Sequence, residues 1–186
     1  WTDWTVCIAL YWSRLFFLTA GYHRYFAHRA YKTSRAMQFL LALGGATAGN
    51  KGVLWWSANH RDHHTHSDTD KDIHSPTRGF WWAHIVWILC GMHKETKYDR
   101  VKDLARYPEI RWLDRWWIVP ITAMAFFTLW LGGLSCLLIG FFLSTVVLLH
   151  SVFTINSLAH VWGSRRFDTK RDGSRNNVLL AITTMG

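Results

Sequence analysis

Histidine is the residue type in this chain whose spacing most clearly permits chemistry. Six histidines and one asparagine fall into three short motifs: His23 and His28; His60, His63 and His64; and Asn156 with His160. Neutral imidazole binds zinc, copper, iron and nickel, so ligand type alone does not choose among these metals. Six histidines grouped in this way favour a metal centre over isolated polar side chains.

The spacing within each motif indicates how helical segments would present these side chains. In the second motif, His60 and His64 lie one turn apart and share a face, whereas His63 points about 100° away from His64. This arrangement suits two neighbouring ions better than one. The two residues of the third motif are also one turn apart. The two histidines of the first motif lie about 140° apart around an ideal helix, so they need a helix end or a local distortion to converge.

Several kinds of metal site fit these motifs poorly. Structural zinc usually takes four ligands and favours cysteine, and no motif contains a cysteine. Haem in a membrane protein would use histidines inside the apolar spans, and only His150 lies within one. The residues alone leave open an oxidative enzyme and a membrane protein that carries metal or haem without oxidative chemistry.

The composition narrows the class of protein. The chain has 186 residues, 50% hydrophobic and 18% charged, which excludes an intrinsically disordered protein. Lysine and arginine number 21 against 12 acidic residues, but no RNA- or DNA-binding motif accompanies this charge, so nucleic acid is not an expected partner. The cysteines at positions 7, 90 and 136 lie in apolar stretches and are predicted to be buried thiols. The 13 tryptophans are typical of a membrane interface.

Three apolar segments are candidates for membrane spans: residues 4–20, 116–131 and 134–155. Gly132 and Gly133 join the last two into a predicted hairpin, which returns the chain to the side it left. All three histidine motifs therefore lie on one side of the membrane. Seven lysines and arginines within residues 94–115 place that side in the cytoplasm by the positive-inside rule. We expect an all-α, multi-pass integral membrane protein whose cytosolic helical cap holds a histidine-rich two-metal site.

These motifs resemble those of the membrane fatty acyl desaturases, in particular the stearoyl-CoA (delta-9) desaturase-like branch. That family carries H-x4-H after a span, then H-x-x-H-H, then N-S-x-x-H after the last span. All three occur here, and the resemblance covers essentially the whole chain. The segment at residues 154–167, TINSLAHVWGSRRF, is similar to bacterial members. Six further residues stand where family members have them: Arg24, Trp56, Arg61, Asp68, Gly79 and Phe80.

The resemblance implies a di-iron oxidoreductase that uses dioxygen and two electrons to introduce a cis double bond, at delta-9, into a saturated fatty acyl chain. The implied iron ligands are His23, His28, His60, His63, His64 and His160, with Asn156 acting through water. The implied partners are an acyl substrate linked to CoA, a carrier or a lipid, membrane lipid, and a trans-acting electron donor of the ferredoxin or cytochrome b5 type with its reductase. The predicted substrate contacts are Trp56, Arg61 and Arg78, the arginines through the phosphates of an acyl carrier.

The resemblance also implies parts that lie outside this sequence. The family has a third histidine box, H-N-x-H-H, a few residues after a segment like 179–186, and an opening span before the first one here. We therefore expect residues 1–186 to be a single desaturase domain, incomplete at both ends, that does not desaturate alone. A hydroxylase or alkane oxygenase with the same kind of histidine boxes is the nearest alternative.

The other five histidines are predicted not to be ligands. His66 and His74 are candidates for orienting ligands, with Asp68 and Asp70 as hydrogen-bond partners of His66. The remaining three, expected to be packing or interface residues, are His84, His93 and His150.

Overall fold

The computed structural model describes residues 1–165 and 173–185, and these residues form helices joined by short loops. The helices are α1 (Thr2–Ala27), α2 (Arg35–Ala46), α3 (Val53–His66), α4 (Trp82–Val86, continued by Trp87–Leu89), α5 (Lys102–Ala105), α6 (Pro108–Arg115), α7 (Ile118–Ser135), α8 (Cys136–Leu143, continued by Ser144–Asn156), α9 (Leu158–Val161) and α10 (Val178–Thr184). Ser164 and Asn176 form an isolated bridge. The predicted all-helical class is confirmed for the described residues.

Helix α1 is long and apolar enough to cross a membrane, with 26 residues and a mean hydropathy of 1.2. It is α-helical over Thr2–Phe16 and continues as a wider π-helix over Phe17–Ala27. The buried guanidinium of Arg14 donates to a carbonyl of its own helix, to the Thr145 hydroxyl at 2.7 Å and to the Ser144 hydroxyl at 2.5 Å. Because a charge among apolar groups is costly without partners, these bonds fix α1 against α8.

The second membrane-length segment is Ile118–Val161, with 44 residues and a mean hydropathy of 2.3. A straight helix of that length would be about 66 Å long, roughly twice the thickness of the hydrocarbon core. The helical conformation breaks at Gly132 (φ −148°) and Gly133 (φ +68°, ψ −160°), where the sequence predicts a turn. Glycine adopts the positive φ of Gly133 without the strain that a side chain would add. The segment consists of two arms, and both contact α1.

The helical cap consists of α2, α3 and α6, which pack against one another, with α2 and α3 also against the π-helical part of α1. The core that it shares with α1 includes large side chains with almost no exposed surface, among them Tyr22, Phe26, Leu54, Ile110 and Leu113. The predicted burial of the cysteines holds for Cys7 and Cys136. It is wrong for Cys90, which lies at the end of α4 and is exposed.

Ion pairs hold α3 to α5 and to the loop before it. The Arg61 guanidinium donates to both oxygens of the Asp103 carboxylate, at 2.8 and 3.1 Å. One residue further along α3, Asp62 is paired with Lys97 and Arg100, each at 2.7 Å. These contacts fix the rotation of α3 about its axis, which decides where its histidines point.

Candidate metal centre

The first histidine motif converges because the end of α1 is a π-helix. In this wider helix the backbone bond joins residues five apart, and the His28 N–H donates to the His23 carbonyl at 3.0 Å. The His23 and His28 rings are consequently 4.5 Å apart between centroids. The local distortion that the five-residue spacing requires is therefore present, and it places both imidazoles at the C-terminal end of α1.

Helix α3 adds two more imidazoles to this pair. His60 and His64 lie one turn apart as predicted, with their Nε2 atoms at 3.0 Å, and the Nε2 atom of His28 is also 3.0 Å from that of His60. One ligand atom from each of four histidines lies within 4.8 Å of the others, and this tetrahistidine cluster is His23, His28, His60 and His64. A set of this kind could hold a metal ion.

The chemistry of the tetrahistidine cluster fits a cation. Three Nε2 atoms face one another, and a single proton can bridge only one pair of them, whereas a metal ion accepts a lone pair from each. Desolvation by the surrounding protein, reinforced by neighbouring imidazoles, lowers the pKa of His60 well below its usual value. Burial and the nearby Arg61 also lower the pKa of His28. Both rings are therefore neutral at pH 7, the form that ligates metals.

His63 points away from the tetrahistidine cluster, as its position in the motif predicts. Its Nδ1 lies 2.9 Å from Asp72 Oδ2, and its ring centroid is 4.2 Å from that of His74. These three side chains also have ligand atoms within 4.8 Å of one another, and we call them the carboxylate cluster. Asp72 has no exposed side-chain surface. Burial raises its pKa, but the bond from His63 and the neighbouring His74 outweigh this and leave the pKa lowered.

The third motif approaches the carboxylate cluster from the end of the hairpin. His160 Nδ1 lies 2.9 Å from Asp68 Oδ1, and the His160 ring is 6.2 Å from that of His63. Because both rings meet a carboxylate at Nδ1, their Nε2 atoms are left for other ligation. Asn156 and His160, predicted to lie one turn apart on one face, belong to two successive helices that meet at Ser157 (φ −115°, ψ −70°). Asn156 instead lines a cavity together with His23 and His60.

That cavity has a volume of about 300 Å³ and lies between α1, α3, the end of α8 and α10. Apolar side chains dominate its wall, while histidine, asparagine, serine, threonine and one arginine contribute polar atoms. Trp56 also lines it and stacks on His60, with ring centroids 4.6 Å apart and planes 18° apart. The apolar members are Leu15, Leu18, Val152, Ile155, Ala159, Leu180 and Ala181. An apolar chain placed here would contact the tetrahistidine cluster.

The three residues predicted to contact substrate differ in whether their side chains are already engaged within the protein. Trp56 faces the cavity beside His60. All five N–H donors of Arg61 are already engaged, by the Asp103 carboxylate and by the carbonyls of Phe26, Ala27 and Arg100. Arg61 therefore has a structural role here, and its contact with an acyl carrier stays a prediction that this arrangement disfavours. Arg78 is exposed, donating to the Asp70 carbonyl at 2.6 Å and lying over the Trp82 ring.

Sequence reasoning missed one residue and misassigned another. Asp72 carries no motif signal, because the loop that folds it under His63 is not periodic. Asp68 was expected to pair with His66, but the structure brings it to His160, so that pairing is wrong. His74 does lie beside a predicted ligand, as an orienting residue would. Burial and the nearby His63 lower the pKa of His74 to about 3.

The histidines expected to be packing residues form a hydrogen-bond chain beside the third motif. Ser157 donates to the Phe153 carbonyl at 2.9 Å, so its oxygen accepts from His84 Nδ1, also at 2.9 Å. His84 Nε2 is in turn 3.0 Å from His150 Nδ1. This chain anchors the residue at which the helix breaks between Asn156 and His160.

Comparisons with known proteins point to one family. A sequence profile described as "Fatty acid desaturase" matches residues 1–186. The chain is 39% identical over 171 residues to an sn-2 palmitoyl-lipid 9-desaturase of Nostoc sp. (strain 36), covering 89% of the chain and 60% of the relative. It is 34% identical over 188 residues to an sn-1 stearoyl-lipid 9-desaturase of Anabaena variabilis, covering 100% of the chain and 69% of the relative.

A third relative is named for an acyl-CoA rather than a lipid substrate. The chain is 37% identical over 180 residues to a probable acyl-CoA desaturase of Schizosaccharomyces pombe, covering 91% of the chain and 37% of the relative. The chain thus spans between 37% and 69% of the length of these three relatives.

Proposed function

Because the chain belongs to the fatty acid desaturase family, we propose that it forms the core of a membrane-embedded di-iron enzyme that introduces a cis double bond into a saturated fatty acyl chain. The relatives carry names of acyl-lipid and acyl-CoA desaturases, which are oxidoreductases. Two of them are named as 9-desaturases, which supports delta-9 as the position of the new bond.

The observation that carries the proposal is the convergence of four imidazoles in the tetrahistidine cluster. The next residue along the chain from one of them, His63, belongs to the carboxylate cluster. His63 and His64 are adjacent on α3 but serve different groups, so α3 would contribute to two neighbouring ions. Iron fits a site built almost wholly of imidazole. When bound, the two irons would supply the oxidising power, drawn from dioxygen and two electrons, that removes two hydrogens from an unactivated chain.

In this proposal His23, His28, His60 and His64 hold one iron, and His63 and His160 contribute to the other, with Asn156 acting through water. The side chains around them have supporting roles. Asp72 and Asp68 engage the Nδ1 atoms of His63 and His160 and so fix which nitrogen of each ring faces inward. Trp56, stacked on His60, limits the rotation of that ring and forms part of the cavity wall.

The apolar cavity beside the tetrahistidine cluster supports an acyl substrate. Its wall would hold an extended hydrocarbon by burial of apolar surface. The position of the chain in the cavity, rather than an acid or base, would then decide which carbons lie at the metal site. We propose that the acyl group arrives linked to CoA, a carrier or a lipid. Electrons would come from a separate ferredoxin- or cytochrome b5-type donor with its reductase.

The two membrane-length segments and the seven basic residues within 94–115 support a multi-pass protein with its site on the cytosolic side. In this topology the hairpin of α7 and α8 crosses twice, and α1 and the end of α8 deliver their motifs to the same face. Cysteine substitution with membrane-impermeant labelling tests this directly. In a Cys90→Ser background, which removes the exposed native thiol, Lys71→Cys should be labelled only from the cytosolic side, and labelling from the opposite side would overturn the topology.

The proposed activity is tested by expressing the complete coding sequence that contains these residues in a host that lacks its own delta-9 desaturase. We expect monounsaturated fatty acids by gas chromatography with mass spectrometry, and about two irons per chain in the purified protein. A hydroxylated product would favour the hydroxylase alternative. A Soret band would replace the proposal with a haem protein.

A further inference from the structure

Helix α6 has an outer face that the rest of the described structure leaves unpartnered. Ile110, Leu113 and Asp114 point inward and are buried. The opposite side presents two exposed tryptophans and two exposed arginines, and we call this the α6 patch: Arg111, Trp112, Arg115 and Trp116. Trp112 is 53% exposed and Trp116 is 47% exposed, which is high for so large an apolar ring.

The arginines of the α6 patch are not neutralised by nearby acids. The two acidic side chains of α6 are already committed: Glu109 accepts both bonds of Arg35 at 2.7 and 2.8 Å, and Asp114 faces inward. Among residues 1–165 and 173–185, Arg111 and Arg115 lie in no ion pair. Arg115 lies over the Trp116 ring at 5.8 Å. The patch therefore combines uncompensated positive charge with apolar aromatic surface.

The position of the α6 patch indicates the kind of partner it fits. It ends two residues before α7 begins the membrane-length segment, and Ile118 and Val119 at that start are themselves exposed apolar residues. Tryptophan next to arginine at the end of a span is the composition that favours the headgroup region of a bilayer, and anionic lipids attract arginine there. The exposed apolar surface runs without a break from the tryptophans of the patch to the start of α7. This continuity favours a lipid partner over a protein partner.

The inner face of α6 connects this surface to α3. Gly52, the residue before α3, has no side chain to cap the helix. Asp114 Oδ1 takes that role from α6 and accepts the backbone N–H groups of Leu54 at 2.8 Å and Trp55 at 3.0 Å. A Cβ atom at Gly52 would lie 2.2 Å from this oxygen, so the two elements are in close contact. Whatever holds α6 in place also holds the start of the helix that carries His60, His63 and His64.

We propose that the α6 patch binds anionic phospholipid headgroups and that this contact stabilises the helical cap through the Asp114 cap on α3. This inference rests on the membrane embedding in the proposed function, but not on the identity of the metal. It predicts that the protein is more stable in anionic lipid than in zwitterionic lipid, because a ligand that binds only the folded state raises its stability.

The test uses the complete protein, purified in neutral detergent and stripped of metal with a chelator, so that failure of the iron proposal does not affect the result. The midpoint of thermal unfolding is measured with mixed micelles containing phosphatidylglycerol or phosphatidylcholine. We expect phosphatidylglycerol to raise the midpoint of the unaltered protein relative to phosphatidylcholine. The double variant R111Q/R115Q should lose more than half of this difference, and high salt should reduce it in the unaltered protein.

Two controls keep the outcome decisive. The variant K71Q/K94Q removes two exposed charges from the loops that follow α3 and α4 and should retain the full difference. If R111Q/R115Q is poorly folded, R111K/R115K preserves the charge and should retain most of the difference. An equal difference in the unaltered protein and R111Q/R115Q, or no difference in either, would overturn the proposal. An equal difference in the two proteins would mean that anionic lipid acts elsewhere, and an acidic protein partner would then be the alternative for the α6 patch.

Discussion

The tetrahistidine cluster and the carboxylate cluster differ in how their imidazoles are held. In the tetrahistidine cluster the rings meet one another, with Nε2 atoms 3.0 Å apart and His28 and His64 exposed. In the carboxylate cluster the rings meet an acid, and Asp72 has no exposed side-chain surface. The first is held by two helices, and the second depends on the loop that follows α3.

The two clusters therefore need different support from the protein. Helical backbones alone fix the positions of His60 and His64 and, through the π-helix, those of His23 and His28. His63 and His160 lie on different helices, and each has a carboxylate at its Nδ1 atom, Asp72 for His63 and Asp68 for His160. These carboxylates set the orientation of the two rings. We therefore expect the tetrahistidine cluster to lose metal affinity when one of its histidines is removed. The carboxylate cluster should lose metal affinity also when an acid that orients one of its histidines is removed.

The largest effect is expected from His60→Ala. His60 Nε2 lies 3.0 Å from the Nε2 atoms of both His28 and His64, so removal of the His60 ring takes the central ligand out of the tetrahistidine cluster. The loss of metal from this cluster should exceed the roughly 10- to 100-fold loss of affinity that removing an outer partner causes. Metal per chain is measured by mass spectrometry after chelator competition. His66→Ala, at the end of the same helix, is the matched control, and equal losses in the two variants would contradict the assignment.

A smaller effect, confined to the carboxylate cluster, is expected from Asp72→Asn. The amide keeps the shape of the side chain but removes the charge that holds His63 Nδ1 at 2.9 Å. We expect affinity for one of two metals to fall about 10- to 100-fold while the other is retained. Metal titration with two resolved binding steps measures this. Asp70→Asn, on an exposed neighbour in the same loop, should change neither step, and an equal fall in both steps for Asp72→Asn would break the comparison between the clusters.

Asp68→Asn should have a weaker effect on the same step. The Asp68 side chain is 25% exposed, so water can partly replace its contact with His160. Its backbone has a φ of +59°, which asparagine tolerates as well as aspartate does. We expect a loss of affinity of about tenfold or less, at the lower end for outer partners. Asp68→Ala removes the same carboxylate and also strains the backbone, so it should lower thermal stability when Asp68→Asn does not.

The sequence predicts the parts of this site that follow from helix geometry. One turn separates His60 from His64 on any helix, and two adjacent glycines are where a hairpin of two apolar arms is expected to turn. The π-helix at His23 has no sequence pattern of its own, so only the need for a distortion could be foreseen. Asp72 and the five bonds of Arg61 depend on loops and carbonyls distant in sequence, and no periodicity records such contacts.

The smallest effect is expected from Asp103→Asn, which weakens the support shared by both clusters. Burial raises the pKa of Asp103, but hydrogen bonds from Arg61 and Arg29 outweigh this and leave it lowered. A lowered carboxyl pKa stabilises the folded state above the ordinary value of about 4, and this stabilisation is lost as the pH falls through the lowered value. At pH 7 the variant should lose about 1 kcal/mol, because the pair is partly exposed to solvent.

That loss corresponds to a decrease of about 2–4 °C in the unfolding midpoint of a chain of this size. The difference between the variant and the unaltered protein should shrink as the pH is lowered below 4, where the carboxyl begins to bind protons in the unfolded state. Asp99→Asn, on a side chain that is 72% exposed and 3.9 Å from Arg100, is the matched control and should change little. Because α3 carries histidines of both clusters, Asp103→Asn should weaken both metal-binding steps alike, and an effect on one step alone would show that the clusters do not share this support.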